Sequence, residues 1–188
     1  MRRIVIRSVL VLGVIGALGL GSYALAGEGT KKVTGDLSGY EEVPALSTPG
    51  SGEFRARIDD RSDEITYTLS YGGTETPVTQ AHVHFGNVSV NAGISVFLCS
   101  NLGNGPAGTQ ACPPAGGTIS GTIVPANVIG PSGQDIAAGQ FDELVAAIRA
   151  GSTYANVHTT GYPGGEIRAQ LNARGGAFDF GGRHGDDD

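Results

Sequence analysis

From residue 33 onward, apolar and polar positions alternate with a period of two, and that period predicts strands. Val33 to Leu37 reads as the first strand, and an irregular stretch broken by Pro44 and Pro49 follows it. Phe54, Ala56 and Ile58 alternate with charged or polar neighbours. After the polar turn at residues 59–63, Ile65, Tyr67 and Leu69 do the same, so these two segments are expected to pair as a hairpin. Further strands are expected over Val78–Phe85, Ile94–Leu98, Thr118–Val124, Tyr154–Thr159 and Glu166–Leu171. Only one segment has helical spacing: Phe141, Leu144, Val145 and Ile148 fall at i, i+3, i+4 and i+7, with Gly151 placed to cap the end. Seven or eight short strands with one late helix predict a mainly β, antiparallel sandwich or barrel.

Ahead of this region the pattern changes. Arg2, Arg3 and Arg7 precede an apolar stretch from Val9 to Leu20, and Ala24-Leu25-Ala26 follows, the layout of a cleaved export signal over residues 1–26. The stretch is shorter than the roughly 20 residues of a spanning helix. An uncleaved anchor is the alternative reading. No second apolar run occurs, so no membrane span is expected after cleavage. Residues 27–32 read as a linker, 33–172 as one domain, and 173–188 as a disordered Gly-rich acidic tail.

Composition narrows the classes. Three of the twelve Lys and Arg residues lie in the leader, so nine remain against eighteen Asp and Glu. An acidic domain lacks the basic face that nucleic-acid binding needs. The 32 glycines and the absence of Trp suit strands joined by many turns. The two cysteines, Cys99 and Cys112, are not in a Cys-x-x-Cys spacing and are expected to form a structural disulfide in an oxidising compartment.

Strand parity then selects the side chains that can meet. His82 and His84 project from one face, and Tyr154, Asn156 and His158 share another. A third histidine arriving from a neighbouring strand would let one copper or zinc ion bind His82, His84 and His158. Glu166 would serve as a fourth ligand or would orient a ligand ring, and Glu41 is a further candidate. The same histidines also suit ordinary half-buried strand positions, bonded to backbone or to Glu166. The two readings part on whether the three rings converge. Tyr162 sits in the loop Gly161-Tyr162-Pro163-Gly164-Gly165, which reads either as a partner-contacting tip or as plain turn chemistry. His184 reads as a solvated tail residue. Hydrolase elbows, phosphate loops and His-Glu-x-x-His are absent from the sequence, so a non-catalytic role is expected.

Three blocks resemble the CHRD (chordin-type) domain of exported proteins, including bacterial ones: Leu37-Ser38-Gly39-Tyr40-Glu41-Glu42-Val43-Pro44, Ala81-His82-Val83-His84-Phe85-Gly86, and Gly151 to Thr159 continuing through Tyr162-Pro163-Gly164-Gly165-Glu166-Ile167-Arg168-Ala169-Gln170-Leu171. The resemblance implies an immunoglobulin-like β-sandwich or barrel and no assigned reaction. It points to an extracellular or cell-envelope module that binds a protein or matrix component. The His-Val-His segment is also similar to the copper-ligand strand of copper/zinc superoxide dismutases. With three histidines in the domain, that likeness extends at most to a mononuclear site with redox activity.

Overall fold

The computed structural model describes residues 32–174. The expected leader, nearly all of the linker, the tail beyond Arg174 and His184 lie outside the described residues. At the margins the strands reach further than the periodicity suggested. Lys32, expected as linker, opens the first strand, and Ala173 and Arg174, expected as tail, belong to the last one.

Among the described residues, nine strands and one α-helix follow in order: β1 Lys32–Ser38, β2 Ser51–Asp59, β3 Glu64–Gly72, β4 Val78–Phe85, β5 Ile94–Ser100, β6 Gly117–Ile123, α1 Phe141–Arg149, β7 Thr153–Thr159, β8 Ile167–Gln170 and β9 Asn172–Arg174. They form one antiparallel sheet in the order β5-β4-β7-β8-β1-β2-β3-β6, with β9 also paired to β1. The sheet curls into a nearly closed barrel, which settles the choice between sandwich and barrel. The expected hairpin is present, with Phe54 opposite Leu69, Ala56 opposite Tyr67 and Ile58 opposite Ile65. All six side chains are buried. The helix buries Phe141, Leu144, Val145 and Ile148 against the same core. It ends at Gly151, whose φ of +69° is the left-handed geometry that a helix terminus favours in glycine.

The two end strands, β5 and β6, do not pair with each other, so their edges must find hydrogen bonds elsewhere. Tyr67 on β3 donates its hydroxyl to the Leu98 carbonyl on β5 at 3.0 Å. Gln110 Nε2 lies within hydrogen-bonding distance of Tyr67 Oη, the Leu98 carbonyl and the Ser120 carbonyl on β6. Gln110 belongs to the loop between β5 and β6, and the Cys99–Cys112 disulfide ties that loop down. Both cysteines are buried. The disulfide therefore fixes the plug that closes the seam.

The feature that positions the site is the double burial of β7. Ala155 and Val157 face the barrel core with Ala81 and Val83 of β4 and Ile167 and Ala169 of β8. The opposite face carries Tyr154, Asn156 and His158, and every one of the seven β7 residues is buried. Among the described residues, no helix is long and apolar enough to cross a membrane.

The seam assigns the disulfide a measurable weight. Replacing both cysteines by serine should lower unfolding stability by roughly 3 kcal/mol, the chain-entropy value for so short a loop. A urea midpoint unchanged by the double substitution would contradict this role.

Candidate metal centre

The site lies on the outer face of β4, β7 and β8, beneath a cover of loops. Ladder register sets its rows: His82 is opposite Asn156, His84 opposite Tyr154 and Gln80 opposite His158, while Asn156 is opposite Arg168. Because period-two alternation turns these side chains away from the barrel core, they meet in a separate polar layer. His82 is fully buried, and His84 and His158 are each 6% exposed. One nitrogen from each ring lies within 4.8 Å of the others.

Backbone carbonyls determine the tautomers. His84 Nδ1 is 2.9 Å from the Ala92 carbonyl, and His158 Nδ1 is 3.0 Å from the Pro163 carbonyl. A carbonyl only accepts, so both Nδ1 atoms carry the proton, and in a neutral ring Nε2 is left with a lone pair. His82 Nδ1 approaches His158 Nε2 at 3.1 Å. The Nε2 atoms of His82 and His84 are buried without hydrogen-bond partners. His82 packs perpendicular to Phe97, and His84 stacks parallel on Tyr154 with ring centroids 4.6 Å apart.

This environment favours uncharged rings. Burial, reinforced by His158 and His84, pushes His82 down to about 2. Burial likewise lowers His84 to about 4, against the opposing hydrogen bond to Ala92. It lowers His158 too, with the Pro163 carbonyl acting the other way. Neutral imidazoles are the ligand form for zinc or copper, and the carbonyls behind His84 and His158 leave their Nε2 lone pairs free of a proton. Nitrogens on one tetrahedral ion lie roughly 3.4 Å apart for a Zn–N bond of about 2.1 Å. The His82 Nδ1–His158 Nε2 pair has nearly that spacing, and the widest pair needs to close by roughly 1.4 Å.

Glu166 is placed elsewhere. The β7–β8 ladder ends at Val157 opposite Ile167; one step further it would set Glu166 opposite His158, but Glu166 sits in a bend just before β8 and its side chain leaves that face. Its carboxylate accepts hydrogen bonds from Thr48 Oγ1 at 2.7 Å, the Glu75 backbone N–H at 2.8 Å and Thr159 Oγ1 at 2.7 Å. It thus staples two loops to the end of β7, and it is not brought into the histidine cluster. Glu41 is exposed on a 3-10 turn. Tyr162 is half-buried and donates its hydroxyl to Glu75 Oε2 at 2.9 Å, whereas the exposed aromatic of this region is Tyr40.

Four residues of the polar layer were not singled out by sequence reasoning as belonging to the site. Glu42, next to Glu41, turns inward and is buried. Burial raises its carboxyl to about 7, against the pull of Arg168, the Val43 backbone N–H and the Asn156 amide. Arg168 is buried with its guanidinium 3.4 Å above the Tyr154 ring, and it donates to the Asn87 carbonyl at 3.1 Å. It thereby holds the 86–93 loop that presents the Ala92 carbonyl to His84. Tyr154 Oη accepts the Ala92 N–H at 3.1 Å, and Asn91 Nδ2 donates to the Val43 carbonyl, joining that loop to the one bearing Glu42. Asn156 was visible as a same-face neighbour of His158. Nothing in local periodicity marks Glu42, because Pro44 and the preceding turn break the alternation.

The family profile of the CHRD domain matches residues 33–171. The chain therefore belongs to the CHRD domain family, and that membership supports a non-catalytic module. Nothing among the curated proteins matches the chain, and neither does any solved structure.

The raised Glu42 carboxyl fixes the sign of one pH effect. Its folded value lies above its unfolded value, so its stabilising contribution is complete below about 4.5 and is lost as pH rises through about 7. In metal-free protein, E42Q should gain melting temperature relative to wild type between pH 5 and pH 8. A difference between the two proteins that stays constant over that range would refute the assignment.

Proposed function

We propose that this CHRD domain is an exported, non-catalytic module that holds a single copper or zinc ion at His82, His84 and His158. The observation that carries the proposal is the convergence of three buried, uncharged imidazoles. Two of them have Nδ1–H pinned by a carbonyl, and buried ring nitrogens lack partners. Such nitrogens lose hydration on folding without regaining a hydrogen bond, and a cation restores that loss. The Ala92 and Pro163 carbonyls play the part usual for groups behind ligand histidines, fixing tautomer and ring direction. Export is supported by the leader-like pattern of residues 1–26 and by the disulfide, which suits an oxidising compartment. The full burial of His82 leaves little access for a turning-over substrate and favours holding an ion over a reaction at it.

Purified full-length chain should bind about one equivalent of zinc or copper. Free ion at 100-fold above Kd should raise unfolding stability by about 2.7 kcal/mol. H82A/H84A should abolish that binding. E166Q should lower the melting temperature, because a buried carboxylate with three donors is disturbed, while metal stoichiometry stays at one. Metal content unchanged in H82A/H84A would overturn the proposal, and loss of metal in E166Q with the fold intact would return Glu166 to the ligand set.

A further inference from the structure

The electron pairs around His158 Nε2 do not balance with the protons available. Its ring proton is on Nδ1, held by the Pro163 carbonyl. Two atoms then face the Nε2 lone pair at 3.1 Å: His82 Nδ1 and Asn156 Oδ1. A proton on His82 Nδ1 satisfies only the first of these contacts. The amide oxygen still meets a lone pair, which is repulsive at that distance.

With the Glu42 carboxyl ionised, rotating the Asn156 amide does not remove the conflict. Its Nδ2 end lies beside the Glu42 carboxyl under Gly165: a Cβ added at Gly165 would approach Glu42 Oε1 to less than 2.5 Å and Asn156 Nδ2 to 2.8 Å. Gly165 itself adopts φ +127°, so only glycine lets the loop close this far over the pair. Placing the amide nitrogen toward Glu42 sets donor against acceptor, and turning it over would set oxygen against carboxyl oxygen. Glu42 Oε1 is buried with no hydrogen-bond partner, so it has an acceptor's need for that nitrogen. Glu42 therefore fixes the amide, and the fixed amide directs Oδ1 at the histidine cluster.

We infer that Asn156 Oδ1 is the fourth donor of the centre, aimed by Glu42 through the amide nitrogen, and that the resulting three-nitrogen, one-oxygen set selects a divalent ion. This rests on the histidine triad being a metal site. An amide oxygen is a hard donor that contributes to Zn2+, Co2+ or Cu2+, whereas Cu+ favours softer ligands and is held by the three imidazoles alone. A cation bound between Oδ1 and His158 Nε2 also converts the repulsive contact into two ligand bonds on one ion. Glu42 is a positioning residue here, without contact to the ion.

The test compares N156L and N156D with wild-type full-length protein, titrated separately with Zn2+, Co2+ and Cu+. Leu has nearly the shape of Asn and offers no donor. N156L should weaken Zn2+ and Co2+ binding by ~10–100-fold, the scale of losses around metal sites, and alter the Co2+ visible spectrum. Its Cu+ affinity should stay within about twofold, since the three imidazoles are untouched. N156D, which keeps an oxygen donor, should bind Zn2+ at least as tightly as wild type. Equal weakening of Zn2+ and Cu+ in N156L would assign Asn156 a purely structural role, and wild-type Zn2+ affinity in N156L would remove it from the site. If N156L fails to fold, loss of Zn2+ by folded N156D with Cu+ retained overturns the inference by itself. If wild-type protein binds none of the three ions, the triad reading is what fails, and the fourth donor falls with it.

Discussion

Everything at the site follows from one constraint: β7 is buried on both faces. One face meets the barrel core and takes Ala155 and Val157. The other is polar, yet loops from three parts of the chain exclude water from it, so each polar group there must be satisfied by the protein. Backbone carbonyls meet the Nδ1 protons of His84 and His158. Because carbonyls accept and do not donate, this solution leaves the inner nitrogens electron-rich and uncompensated. Burial at the same time removes the option of protonating them near neutral pH. A buried layer built this way has an excess of acceptors, and a cation is the economical way to complete it.

Two of the buried ionisable residues at this end of the sheet, Arg168 and Glu166, hold different parts of the cover. Arg168 lies on Tyr154 and grips the 86–93 loop, which supplies the carbonyl behind His84. Glu166 gathers Thr48, Thr159 and the Glu75 backbone, fixing the base of the loop that supplies the carbonyl behind His158. Neither group touches the triad, and each sets the geometry of one histidine from a distance. Removing one partner from such a network leaves an uncompensated buried group, which costs several times the net worth of the bond itself.

Much of the fold was legible because its strands are half-buried and period two is a strong signal. The β2–β3 hairpin, the faces of β4 and β7, and α1 with its terminal Gly151 all follow from local patterning. The same parity rule put His82 with His84 on one face of β4 and His158 with Asn156 on one face of β7, and register brought those faces together. The illegible parts depend on contacts distant in sequence or on broken alternation. Closure into a barrel rests on β1 pairing with β8 and on Gln110 bridging the β5–β6 seam, neither of which has a local signature. Glu166 has the right parity for the site and is displaced by a bend. Glu42 has no readable parity and is delivered by a turn. Carboxylates in irregular segments are where periodicity carries no information about direction.

The central claim is that the fold, before any ion binds, presents three neutral imidazoles, with the Nε2 lone pairs of His84 and His158 left free by the carbonyls behind them. Nitrogen-15 NMR of the histidine rings in metal-free protein at pH 7 reads this directly, since tautomer and charge each shift the ring nitrogens distinctly. The account predicts three uncharged rings, with His84 and His158 protonated on Nδ1 and bare at Nε2. An imidazolium among the three, or a proton on Nε2 of His84 or His158, would contradict it.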